Sequence, residues 1–450
     1  MRKSYFAVST LFFAVFSGTY AMAASNPDLE ALQTEIRQMK QAYEKRISEL
    51  ENKLAKLTVA KTETTEMAQA APDGGAGKKI HGNEFNPSIG VILNGKYSGF
   101  SSDSSNIAGF GVGEEGERGR EGLGLDESAL NFAGSIDDKF YGGLTVAVVR
   151  EAGEDKVELE EAYVQTLSGA GLPQGLSVKA GRAFWTFGYL NEHHTHADDF
   201  ADRPLPYRAF LNKAFNDDGL EVSYVLPTDL YTEVGGGVFR GDDFPLGNAT
   251  GDGGGAWSAF ARLGGDIGEN KSWRLGAYLL SGESDGGRSS NEDAVTFIGD
   301  SDLYAADLRF TWAPTGNARE REVIVQGEYF RRNEDGSYED TDAGTGAVAF
   351  DDSASGWYAQ AVYKFLPQWR IGVRYSLLEA AGAPAGLAGS ALDAEGHDPE
   401  ATAVMLDWTN SEFSRVRLQY NHEELSRGQN DDQIMLQYIM SLGAHGAHTY

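Results

Sequence analysis

Trp369-Arg370-Ile371-Gly372-Val373-Arg374-Tyr375-Ser376-Leu377 alternates between two kinds of residue along its whole length. On an extended strand, side chains repeat with period two, so Trp369, Ile371, Val373, Tyr375 and Leu377 share one face and Arg370, Gly372, Arg374 and Ser376 the other. A face carrying arginines cannot lie on a dry core, and a face ending in aromatics is a poor wetted surface. A membrane-spanning β-barrel resolves both, with lipid outside and water inside. The same alternation recurs in Tyr304, Ala306, Leu308, Phe310 and Trp312, in Trp357, Ala359, Ala361, Tyr363 and Phe365, and in Ile434, Leu436, Tyr438, Met440 and Leu442.

Working outward, the pattern predicts strands at 87–100, 122–136, 139–150, 157–168, 175–184, 219–226, 230–240, 256–266, 272–282, 302–313, 321–333, 355–365, 369–379, 401–410, 413–424 and 431–442. Sixteen is an even number, as single-chain bacterial barrels have. Connections alternate in length. Asp137-Asp138, 227–229, 267–271, 366–368 and 411–412 are short, with 169–174 and 314–320 a little longer. Long ones at 101–121, 185–218, 241–255, 283–301, 334–354 and 380–400 lie between them, with short exceptions at 151–156 and 425–430. Short turns at one end and long loops at the other mark an outer-membrane barrel. A soluble solenoid would show a fixed internal repeat, and none is visible. The expected fold is therefore all-β and transmembrane: a 16-stranded antiparallel outer-membrane barrel over residues 81–450.

Residues 1–23 read as a secretory signal peptide, with Arg2 and Lys3 at the start, a short apolar core and Ala21-Met22-Ala23 at the cleavage site. Residues 24–58 read as a periplasmic α-helical coiled-coil arm: Leu29, Ile36, Tyr43, Leu50 and Leu57 keep seven-residue spacing, and trimerisation is its natural use. Residues 59–80 are a polar, Gly- and Ala-rich linker. The chain has no cysteine, which excludes disulfides, thiolate metal sites and cysteine nucleophiles. A net charge of -29 argues against nucleic acid as a partner and for attraction of cations, including those bridging lipopolysaccharide.

Alternation points Arg274, Arg309, Arg370, Arg374, Arg415, Arg417 and Glu328 into the bore as pore-lining residues. Two readings of the arginines stand side by side: a basic wall that sets ion selectivity, or partners for acidic loop residues folded inside. The 185–218 loop holds His193, His194 and His196, then Asp198 and Asp199. Imidazoles next to carboxylates suit a transient Zn²⁺ or another divalent ion, and no resident cofactor is required. His445 and His448 form a second pair near the C-terminus.

These features together resemble the Gram-negative porins, close to the phosphate-selective type and to porin-like proteins with an N-terminal coiled coil. The His-rich third loop and the ending Gly443-Ala444-His445-Gly446-Ala447-His448-Thr449-Tyr450 also resemble small outer-membrane proteins described as zinc-regulated. Some of those are described as TonB-dependent receptors. This chain departs from them in having no plug domain and too few strands. The resemblance implies that the third loop folds into the barrel, and that the terminal aromatic is read by the assembly machinery.

The functional expectation is passive diffusion of small solutes or ions, divalent metal such as zinc included. Alternatives are an anion- or phosphate-selective porin and a structural tether acting through the arm on peptidoglycan. No nucleophile elbow or triad points to an enzyme. Expected partners are outer-membrane lipid, lipopolysaccharide and two further copies of the chain.

Overall fold

The computed structural model describes residues 87–443, apart from 152–153, 243, 248–254 and 291–292. The predicted signal peptide, coiled-coil arm and linker, and His445 and His448, lie outside the described residues.

Sixteen antiparallel strands close on themselves. They are β1 Ser88–Phe100, β2 in two pieces (Gly122–Leu125 and Ser128–Ser135), β3 Phe140–Glu151, β4 Glu154–Thr166, β5 Leu176–Phe184, β6 Asn216–Val225, β7 Tyr231–Phe239 and β8 Ala256–Asp266. There follow β9 Lys271–Ser290, β10 Val295–Trp312, β11 Glu322–Asp340, β12 Val348–Leu366, β13 Trp369–Glu379, β14 Glu400–Ser411, β15 Ser414–Ser426 and β16 Gln429–Gly443. Each strand pairs with the next in sequence. β1 closes the ring on β16, from Gly90 opposite Gly443 to Phe100 opposite Gln433. Closure leaves no open edge of unpaired backbone groups, which hydrocarbon would not tolerate.

The burial pattern is inverted relative to a soluble protein. Ile371 and Val373 are 44% and 51% exposed, whereas Arg374 between Val373 and Tyr375 is 5% exposed. On β14, Val404, Leu406 and Trp408 face out while Ala403, Met405 and Asp407 face in. Trp369 and Trp408 approach each other near the short-turn end, and Trp357 and Tyr375 nearer the long-loop end.

Two stretches read as long loops are instead strand. β9 to β12 run 18 to 20 residues each and continue well past the band of outward apolar residues. Beyond that band Val295, Phe297, Tyr338 and Phe350 on their inner faces build a small core with Leu387 and Leu392 from the segment between β13 and β14. The sequence there, as in Gly282-Glu283-Ser284-Asp285-Gly286-Gly287, is polar on both faces, so the period-two signal fades although backbone pairing goes on.

The segment between β5 and β6 turns into the barrel. It carries two short turns of 3-10 helix, Leu190–Glu192 and Thr195–Ala197, and one helix, α1, Leu205–Leu211. Pro206 in the first turn of α1 costs no hydrogen bond, and Asn212 closes the helix in the left-handed region at φ 48°. All seven α1 residues are buried. Trp185, Phe187, Tyr207, Phe210 and Phe215 of this loop pack on the inward side chains Phe239, Phe260, Tyr278, Phe330 and Tyr358, with Ile107 and Phe110 from the loop after β1. Phe210 stacks on Phe330 at 6.2 Å, and Tyr207 meets the same ring edge-on at 5.1 Å. Burying side chains of this kind stabilises by about 1.5–3 kcal/mol each. That is ample to hold the loop inside a bore that would otherwise be wet.

Candidate functional site: the inward loop and the space beside it

The loop is fastened to the barrel wall by ion pairs at many points. On the β9 side, Glu192 takes Arg262 and Arg274 at 2.6 and 2.8 Å. Glu328 on β11 accepts four donors: the Tyr189 N–H at 2.9 Å, the Leu190 N–H at 3.2 Å, and the hydroxyls of Tyr207 and Tyr358 at 2.9 and 2.5 Å. Gly188 passes over this carboxylate at φ +77°, and a Cβ there would lie 2.5 Å from Glu328 Oε2. Arg309 lies over the Tyr189 ring and donates to Gln326 at 2.6 Å.

On the β13–β15 side, Asp199 pairs with Arg370 at 2.7 Å, and Asp202 with Arg374 at 2.8 Å. Arg417 donates to Asp407 at 2.8 Å and to the Asp198 carbonyl at 2.8 Å, and Arg370 also pairs with Asp407. Arg415 donates to the His196 carbonyl at 2.5 Å. Burial opposes the charge on Asp199 and Asp202, but Arg370 with Arg309 and Arg417 around the first, and Arg374 with Gln419 around the second, together outweigh it and hold both carboxyls below the usual range. Asp198 is different. Burial dominates Arg203 at 2.8 Å, and its pKa is pushed up to about 7. All seven predicted pore-lining residues therefore face inward, yet none of them lines the open space described below. The arginines are engaged with loop carboxylates, loop carbonyls or wall groups.

The predicted metal residues separate into three environments. His193 stacks on Tyr189 at 4.8 Å and bonds its carbonyl at 2.9 Å; burial lowers its pKa. Asp198 and Asp199 face the arginines. His194 and His196 come together, with rings 5.4 Å apart and nearly parallel. They meet Glu127, Glu160 and Glu161, none of which the sequence reading singled out. His194 Nε2 donates to Glu161 at 3.0 Å and its Nδ1 lies 3.3 Å from Glu160. Burial pulls the His194 pKa down, but hydrogen bonds to Glu160 and Glu161 outweigh it and raise it to about 10. His196 Nδ1 lies 3.9 Å from Glu127 Oε1, and burial leaves its pKa lowered. Glu127 Oε2 takes Lys213 at 2.9 Å and Thr195 at 3.0 Å.

Two β-bulges bring these carboxylates to the loop. Thr145 pairs with Glu161 and Val146 with Leu159, so Glu160 is the extra residue on β4. In β2, Gly95 pairs with Leu125 but Val91 with Leu130, which places one extra residue around Asp126-Glu127. A bulge re-aims side chains that strict alternation would send to opposite faces. This is why neighbours Glu160 and Glu161 both reach one histidine.

A cavity of about 1130 Å³ remains beside the loop, against β1, β2, β4 and β16 and under the loop after β1. Among the described residues on its wall, carboxylates such as Glu114, Glu115, Glu158 and Glu160 outnumber cations such as Lys96, Arg120 and Arg182.

No family model matches the chain. An uncharacterized protein of Aquifex aeolicus (strain VF5) is 26% identical over 400 residues, covering 81% of this chain and 80% of that one. An anion-selective porin from Comamonas acidovorans has a similar structure: TM-score 0.50, 11% identity, covering 79% of this chain and 99% of that one. The outer membrane channel DcaP of Acinetobacter baumannii gives a TM-score of 0.49 at 13% identity, over 79% of this chain and 97% of that one. At such identities the likeness is one of fold, and the chain shares the closed antiparallel barrel of the Comamonas porin.

Proposed function

We propose that this chain is an outer-membrane channel for passive diffusion of small hydrophilic solutes and ions, with its bore narrowed by the loop between β5 and β6. The observation that carries this reading is the inversion of burial on a closed barrel. Apolar side chains such as Val373 face outward, and charged ones such as Arg374 and Glu328 face in. A lipid-facing exterior and a polar interior suit a barrel in the outer membrane, with the long loops outside the cell. Cations, divalent ions such as zinc included, are the favoured cargo. The acidic cavity wall supports this, and the six candidate arginines lie elsewhere and are engaged with other groups. On this reading three copies associate in lipopolysaccharide, and the N-terminal arm reaches towards peptidoglycan. The test is planar-bilayer recording of the purified mature chain. Discrete conductance steps are expected. A protein that inserts into the bilayer but never conducts would replace the channel with the tether reading.

A further inference from the structure

We propose that Glu127, Glu160, His194 and His196 form a seat for one divalent cation of the borderline class, Zn²⁺ or Co²⁺, which fastens the tip of the inward loop to the β2–β4 wall. This deepens the channel reading by placing a bound ion at the edge of its remaining cavity.

The donor set is the first ground. Glu127, His194 and His196 each offer one ligand atom, and these atoms all lie within 4.8 Å of one another. Glu160 stands outside that group but next to it, with Oε2 3.3 Å from His194 Nδ1, and would complete the shell as a fourth ligand. Two imidazoles and two carboxylates match the tetrahedral nitrogen and oxygen shell of a borderline dication, and they would not suit a soft monovalent ion. With donors about 2.0–2.2 Å from the metal, neighbouring ligand atoms stand roughly 3.3–3.6 Å apart. His196 Nδ1 already stands 3.9 Å from Glu127 Oε1, and closing the seat needs Glu160 and the two rings to turn towards that pair.

The second ground is that the seat is built. Glu127 Oε1 is buried and accepts no hydrogen bond among the described residues, while its partner oxygen Oε2 is held by Lys213 and Thr195. Those two bonds orient the carboxylate and leave Oε1 aimed at His196, as outer partners of metal carboxylates do. The Arg415 bond to the His196 carbonyl fixes the loop backbone at the same place. Both carboxylates come from bulges that break the regular ladder, one in each wall strand. Once His194 gives up its proton to bind the metal, Glu127, Glu160 and Glu161 against Lys213 leave two negative charges, which a dication cancels. Glu127 and Glu160 also line the cavity, which gives an ion a route to the seat.

The test is Co²⁺ titration of the full mature chain in detergent, followed by electronic absorption and calorimetry, in a His445→Ala/His448→Ala background that removes the C-terminal pair. One Co²⁺ per chain with a four-coordinate spectrum is expected. Glu127→Gln and His196→Ala should weaken binding by about 10–100-fold or more, while His193→Ala leaves it unchanged. No binding by the parent chain, equal binding by Glu127→Gln and His196→Ala, or equal loss in His193→Ala would each overturn the seat. Should a variant fail to fold, X-ray absorption of the Zn²⁺-loaded parent decides: two imidazoles in the shell support the seat, one or none refutes it. Bilayer recordings on the same protein separate the two ideas. Conductance without Co²⁺ binding sinks the seat alone, and binding without conductance sinks the channel alone.

Discussion

Gly188 is where a single methyl group would disturb the inward loop most directly. Its left-handed backbone costs a non-glycine residue about 1–2 kcal/mol, and the added Cβ would meet Glu328 Oε2 and the Tyr207 hydroxyl at 2.5 and 2.6 Å. One collision falls on the carboxylate that receives the loop's own N–H groups, the other on the hydroxyl that donates to it. Gly188→Ala should therefore release the loop, raise single-channel conductance and expose Arg203, Arg208 and Lys213 to trypsin. A variant that keeps the parent conductance and trypsin resistance would show that Gly188 is not a pivot. The interior ion pairs have a different sensitivity. Asp407 is fully buried between Arg417 and Arg370. Asp407→Ala leaves Arg417 buried and uncompensated, a loss of about 3–5 kcal/mol, whereas Asp407→Leu with Arg417→Leu should cost much less because no orphan charge remains. Arg370 keeps Asp199 in both cases. Unfolding in guanidinium from lipid vesicles reads the difference. Equal losses in the single and double variants would show that the pair matters for packing alone.

At the scale of the element, the channel reading has each strand separate two solvents. Val373→Arg puts a guanidinium on the outward face of β13 and should destabilise the folded barrel by about 2–4 kcal/mol if it sits near the bilayer midplane. The same change at exposed Asp342, in the turn between β11 and β12, should stay within about 0.5 kcal/mol. Comparable effects at the two positions would mean that no hydrocarbon contacts β13. This dependence on two solvents is also why all sixteen strands were legible: wherever lipid lies on one side and buried polar groups on the other, alternation is strict, as from Trp369 to Leu377. It fails where the outward face is polar and the inward face mixes polar residues with a few buried apolar ones, so the outer halves of β9 to β12 read as loops. The inward position of the loop was implied by resemblance, and its apolar packing partners, Phe260 and Phe330, look from the sequence like ordinary strand residues. The histidines were conspicuous as a cluster, but their partners were not. Period two puts Glu160 and Glu161 on opposite faces, and only the bulge overrides it. Glu127 had one visible signal: Asp126-Glu127 interrupts the alternation of an otherwise regular strand.

Across the whole molecule, charge is sorted unevenly. Of the arginines read as a basic wall, Arg274, Arg370, Arg374 and Arg417 are drawn into ion pairs with the loop or with Asp407, and Arg309 and Arg415 are bonded to Gln326 and to the His196 carbonyl. The cavity beside them keeps a surplus of carboxylates, with Glu114 and Glu115 exposed on the loop that covers it. A permeating ion in that space meets negative potential, weakly screened because the low-dielectric wall confines the field. The channel should therefore prefer cations, and the preference should grow as salt is diluted from about 1 M to 0.1 M, where the Debye length rises from about 3 to 10 Å. Reversal potentials in KCl gradients at two mean concentrations measure both effects. Glu114→Gln with Glu115→Gln removes two charges from the covering loop without touching the barrel wall, and should shift the reversal potential towards zero. If the parent reverses on the anion side, the permeation path runs along the arginines rather than through this cavity. The same pair of substitutions would then leave selectivity unchanged, while Arg374→Gln would reduce it.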